Sequence, residues 1–185
     1  MFIALEGLDG SGKSTVARLL EDSIGAKRLK LLPEKFIPIR PAVYQCGDRI
    51  SKLFYYLSGV SYTSFQIKEL TKQKEILVCD RYYYSIIVDY FDILESFISD
   101  SFEDSLFFKH LLKPDFAFFL NINEAERINR IMNRTSRTKA DLESLESSIS
   151  AKKISIYKSL NLIDIETTDL TPEKVAEDIK KRIGL

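Results

Sequence analysis

Cysteine and histidine are the residues this chain has least to offer. It carries two cysteines, Cys46 and Cys79, and one histidine, His110, in 185 residues. Two isolated cysteines exclude a disulfide framework and the Cys/His ligand set of a zinc site. Cys79 lies in the apolar run EILVCD and reads as a buried free thiol, which fits a reducing cytoplasm. His110 has no cysteine or histidine near it in sequence and reads as structural or solvent-facing rather than catalytic. Charge of either sign is not in surplus: 27 Lys plus Arg balance 27 Asp plus Glu. That argues against a dedicated nucleic-acid binder, which would carry a basic excess. Long apolar runs are absent too. The N-terminal one ends at Glu6, too short for a signal peptide or a membrane span. A cytoplasmic chain with no membrane and no nucleic-acid partner is the expectation.

What is present is an ordinary globular composition, 45% hydrophobic and 29% charged, expected to form one domain over residues 1–185. Strand-like runs recur at Phe2–Glu6, Arg28–Leu32, Glu75–Cys79, Phe116–Asn121 and Leu160–Ile165. The segments between them are long enough for crossover helices, which predicts an α/β fold with a parallel five-stranded sheet covered by helices on both faces. DFAFFLNI, nearly all apolar, reads as a central strand. TPEKVAEDIKKRIGL signals both ends of a helix: a Thr cap, Pro at the first position, acids in the first turn, and Lys, Arg and Gly at the close. No repeat or low-complexity linker interrupts the chain. The polar stretch NRTSRTKADLESLESS is either a solvated loop or a mobile lid.

The sharpest motif is EGLDGSGKST, residues 6–15, where Gly7, Gly12, Lys13 and Ser14 complete G-x-x-x-x-G-K-[ST] between a strand and a helix. Glycines let the backbone approach an anion closely, and successive N–H groups plus the positive end of the next helix then face it. Gly7, Asp9, Gly10, Ser11, Gly12, Lys13, Ser14 and Thr15 are therefore expected to bind ATP, with Lys13 across the outer phosphates and Ser14 on Mg2+. A GTPase would carry an Asn-Lys-x-Asp motif, which is missing, and ring-forming ATPases need a longer chain. The short length favours a small-molecule kinase.

Four segments resemble the thymidylate kinase family. FIALEGLDGSGKST is similar to its opening, ILVCDRYYYS to its strand with Asp-Arg-Tyr-x-x-Ser, KPDFAFFLNINEAERINRI to its later strand and the helix into the lid, and NLIDIETTDLTPEKVAEDI to its closing strand and helix. The resemblance implies a P-loop kinase with a helical lid at about 134–141. It also implies ATP as donor, Mg2+, a nucleotide acceptor and a homodimer. Arg81 would grip the acceptor's phosphate, Asp80 would act near Mg2+, and Asp9 would lie between the two sites. LLPEKF resembles the family's Pro-Glu-Arg segment and puts Lys35 where an Arg contacts phosphate, with Arg40 as a possible sharer of that work; both also read as solvated surface. Gly10 and Ser11 stand where some members have a basic residue, so catalytic charge is expected from Arg134, Arg137 and Lys139 in the lid.

The acceptor side departs from the pattern. The family's thymine-reading Arg has no counterpart in KLFYYLSGVSY, although Tyr56 could stack on a base or simply pack in the core. Nine residues beyond Asp80, where the family places an aromatic near the sugar, this chain has Asp89, a carboxylate able to accept from sugar hydroxyls. The sequence-level reading is ATP-dependent phosphorylation of a nucleoside monophosphate, dTMP to dTDP by resemblance. The rivals are a deoxynucleoside kinase and an ATP-binding paralogue that does not phosphorylate nucleotides.

Overall fold

The computed structural model describes residues 1–98, 101–134, 145 and 147–185. The strands β1 (Phe2–Glu6), β2 (Lys27–Lys30), β3 (Leu77–Asp80), β4 (Phe116–Asn121) and β5 (Ile163–Glu166) form one parallel sheet in the order β2-β3-β1-β4-β5. Every strand pairing is parallel. Helices α1 (Lys13–Ile24), α2 (Arg40–Gln45), α3 (Arg49–Lys72), α4 (Tyr83–Asp89), α5 (Phe91–Leu94), α6 (Glu124–Met132), α7 (Ser147–Ser159) and α8 (Pro172–Arg182) make up the described helical part. No described helix is long and apolar enough to cross a membrane.

Alternation along the central strand builds two cores. Phe2 and Ala4 of β1 join Leu77, Cys79 and Phe119 in a cluster with side chains of α3, α4 and α7. Ile3 and Leu5 point the other way, to Val78, Phe118 and Leu120, and meet Val16, Ala17 and Leu20 of α1 and Val175, Ala176 and Ile179 of α8. β1 is thus buried along its whole length, including its one charged residue, Glu6. β2 is an edge strand of sequence KRLK whose side chains are mostly exposed, a composition that discourages further pairing.

The first and fourth strands fall where the sequence pattern puts them, and three are shifted. β2 ends at Lys30 because its register with β3 ends at Asp80. β3 starts at Leu77, the residue facing Phe2 and Lys27. β5 starts at Ile163 because α7 runs to Ser159 and Asn161 then turns the chain through a positive φ of 56°. The C-terminal helix has its expected ends: Thr171 accepts from the Lys174 N–H, and Lys180, Lys181 and Arg182 fill the last turn. Cys46 and Cys79 are both free, the second buried, and His110 is exposed. The expected lid at 134–141 lies outside the described residues apart from Arg134, which is exposed just past α6.

Candidate functional site

In an open parallel sheet, ligands bind at the carboxyl ends of strands near the point where strand order reverses. Here that point is β1, flanked by β3 and β4. The loop leaving β1 opens with Gly7 at φ +144°, and a Cβ there would lie 2.7 Å from the Leu120 carbonyl oxygen. Only glycine lets the loop pass so close to β4. It closes on Gly12, which begins α1 in the left-handed region, and no side chain caps that helix. The α1 N-terminus is thus left to a ligand.

Lys13 is buried and donates to the Leu8 carbonyl at 2.7 Å and to Ser11 Oγ at 3.4 Å. Burial, and then the nearby Arg81 guanidinium, push its ammonium down to about 8, short of full compensation by Asp9, Asp80 and Glu6. Ser14 Oγ donates to Asp80 Oδ2 at 2.5 Å, so a hydroxyl and a carboxylate from different strands meet beside the helix start. Two hard oxygen donors at the mouth of a phosphate loop fit Mg2+, which takes one or two protein ligands and completes its shell with phosphates and water. Arg130 reaches the same end of the molecule: it bonds Glu126, the Thr167 and Thr168 carbonyls, and comes within 4.0 Å of where a Gly12 Cβ would stand.

Across from the loop, Arg81 follows β3 with φ at +66°, an uncommon conformation for a residue with a Cβ. Three groups hold it there. Its own N–H bonds the Leu5 carbonyl, the next N–H, of Tyr82, bonds Glu6 Oε1 at 2.7 Å, and Cys79 Sγ donates to the Arg81 carbonyl. Its guanidinium donates to Asp9 Oδ1 at 2.6 Å and to Ser85 Oγ at 3.0 Å. Ser85 in turn donates to Glu6 Oε2 at 2.6 Å, and the Tyr157 hydroxyl lies 3.3 Å from the same oxygen. Burial drives the Glu6 carboxyl up to about 7 despite those bonds and the cations Arg81 and Lys13. For Asp9 the balance tips the other way. Burial opposes its charge, but Arg81, Lys13 and Lys153 outweigh it and hold the carboxyl well below the usual range.

Gly7, Leu8, Asp9 and Arg81 line a cleft of about 50 Å³ with Asp89, Arg127, Lys153 and Tyr157. Asp89 Oδ1 is 2.7 Å from Lys153 Nζ. Arg127 is fully buried, with bonds to both Glu124 oxygens and to Ser150. The fold therefore gathers Asp9, Lys13, Ser14, Asp80, Arg81 and Asp89 at one end of the sheet. It engages the other expected residues elsewhere. Lys35 donates to the Tyr62 hydroxyl at 3.1 Å, and Arg40 lies over the Tyr44 ring with its carbon 5.1 Å from the centroid. The Tyr56 hydroxyl meets that of Tyr44 at 2.5 Å and its ring leans on Tyr55 and Tyr90. Arg137 and Lys139 lie outside the described residues.

Glu6, Ser85, Arg127, Lys153 and Tyr157 are site residues that sequence reasoning passed over. Glu6 alone left a usable signal, a carboxylate closing an otherwise apolar buried strand. Lys153 in SAKKIS looks like any solvated helix residue until Asp89 is placed against it.

The thymidylate kinase family model matches residues 5–179. The chain belongs to the thymidylate kinase family. Among curated relatives, the probable thymidylate kinase of Methanocaldococcus jannaschii is 29% identical over 184 residues, covering 97% of this chain and 93% of the relative. That of Sulfurisphaera tokodaii is 34% identical over 137 residues, 70% of this chain and 68% of the relative. The solved structure of Candida albicans thymidylate kinase superposes with a TM-score of 0.72 at 20% identity, over 99% of this chain and 90% of that one. Deoxyadenosine kinase from M. mycoides with bound dATP superposes at 0.69 and 18% identity, over the whole of both chains. At such identities the structural likeness speaks for the fold, and the family match is what assigns the enzyme class.

Proposed function

We propose that this chain transfers the γ-phosphoryl group of ATP to the 5′-phosphate of a nucleoside monophosphate, with dTMP as acceptor and dTDP and ADP as products. The observation that carries this is Arg81, a guanidinium fork set beside the phosphate loop and close enough to Lys13 to lower its proton affinity. A planar fork suits an acceptor phosphate. In the reaction an acceptor phosphate oxygen attacks the γ-phosphorus as the bond to the β–γ bridging oxygen breaks, and positioning plus charge supply the rate.

Lys13 would hold the outer phosphates of ATP and the loop amides the inner ones. Ser14 and Asp80 would hold Mg2+, which when bound neutralises charge between the β- and γ-phosphates. Asp9 and Asp89 would face the acceptor's sugar, and Lys35, Arg40 and Tyr56 belong to the acceptor side after rearrangement of their present contacts. The basic stretch around 134–141, with Arg134, Arg137 and Lys139, would act as a lid that spreads positive charge over the transferring group and keeps water out. The chain would act as one domain in the cytoplasm and as a homodimer. Ile50, Phe54 and Phe65 support the last point, since they stay exposed on α3 at spacings of four and eleven residues and so form one apolar stripe.

A coupled assay of ADP release over a panel of nucleoside monophosphates tests the reading, with thymidine included beside dTMP. dTMP should give the highest turnover. ATP binding without acceptor-stimulated turnover anywhere in the panel would overturn it, and faster turnover of thymidine would assign a nucleoside kinase instead.

A further inference from the structure

We infer that Lys153 is a second cation for the acceptor's phosphate, resting on Asp89 until the acceptor takes it over. The inference rests on the kinase reading above. Asp89 ends α4, Lys153 lies in α7, and their ion pair at 2.7 Å is the partition between two spaces. On one side is the cleft of about 50 Å³ containing Asp9 and Arg81. On the other is a cavity of about 210 Å³ lined by Arg49, Phe91, Asp92, Lys152 and Ile156, and Asp89 and Lys153 line both. A small-molecule site ordinarily encloses ~300 Å³ or more. Neither space alone admits a nucleotide, so one that reaches Arg81 has to part the pair.

The pair is also the part of the wall most able to move. Gly7 is pressed against β4, while Arg127 and Tyr157 are fully buried and bonded. Asp89 and Lys153 are 46% and 33% exposed. Their charges already act on the centre, because Lys153 helps to keep Asp9 ionised and Asp89 favours the charge on Arg81. A phosphate dianion arriving among Asp9, Asp89, Arg81 and Lys153 is repelled by two of them and attracted by two. Arg127 cannot turn to it, being committed to Glu124 and Ser150. Exchange resolves the conflict: Arg81 leaves Asp9 and Lys153 leaves Asp89 for the phosphate, and the two carboxylates accept from the sugar.

If the pair only pinned α4 to α7, both of its members would matter equally and the ligand's charge would not. Calorimetric titration with dTMP and with thymidine separates the two cases. Lys153→Met should weaken dTMP by about tenfold and leave thymidine unchanged, because only the phosphate contact is lost. Lys153→Arg should recover most of that loss. Asp89→Asn, which keeps a hydrogen-bond acceptor but removes a repelling charge, should tighten dTMP several-fold. Equal losses for dTMP and thymidine in Lys153→Met, or weakened dTMP in both Lys153→Met and Asp89→Asn, would overturn the inference. Should the wild-type protein bind another monophosphate instead of dTMP, the dTMP reading fails. The charge comparison is then made on that monophosphate and its nucleoside.

Discussion

The two halves of this site are made in opposite ways. The phosphate loop is contiguous: nine residues between β1 and α1 supply its backbone, its lysine and its hydroxyl. The acceptor wall is a set of ion pairs between distant segments, Asp9 with Arg81 and Asp89 with Lys153. A loop whose binding groups are mainly backbone amides is complete as soon as the chain folds. A wall of paired charges is satisfied without its ligand and has to be opened by it. The donor half is a cradle, and the acceptor half is an exchange.

Substitution at each half should separate these modes. The largest effect is expected from Lys13→Met, which removes the loop's cation and should lower kcat by about a thousandfold, measured by ADP release at saturating dTMP. Arg81→Met should instead raise the acceptor KM by roughly a hundredfold with little change in the KM for ATP. Arg81→Lys should recover only part, because an ammonium cannot present the fork. Equal changes in both KM values would mean that the halves are not separable.

The support beneath the wall gives a third test. The Glu6 carboxyl is raised from its ordinary 4.5 to about 7, so the folded chain holds that proton more tightly than the unfolded chain. Stability should therefore fall as pH rises from 4.5 to 7, by about 1–3 kcal/mol, and Glu6→Gln should flatten this part of the profile in denaturant melts. The smallest effect concerns the cradle. With the Lys13 ammonium lowered to about 8, ATP affinity should be constant below that pH and decline a few-fold by about pH 9, a decline that Lys13→Met abolishes. Fluorescence titration of ATP across that range checks it.

How much of this was legible beforehand follows the same division. The loop was readable because its spacing is local, and Gly7, Gly12, Lys13 and Ser14 stand in the structure as the motif requires. Arg81 and Asp9 were readable through the family pattern. The fold brings them to within 2.6 Å, and nothing local to either residue encodes that distance. Strand edges were misplaced by up to three residues because a strand ends where its partner's register ends, as β2 does at Asp80. Lys153 was not readable at all. Its meaning depends on a residue 64 positions earlier, brought opposite by the packing of α4 and α7.

The sequence alone determined the sheet-and-helix alternation, the phosphate loop and the enzyme class, because periodicity and short-range spacing act through the backbone. Tertiary structure decided which charges face one another across the acceptor cleft, and that Glu6 lies under the strained Arg81. Coulomb forces and desolvation depend on distance in space, and chain separation does not encode that distance.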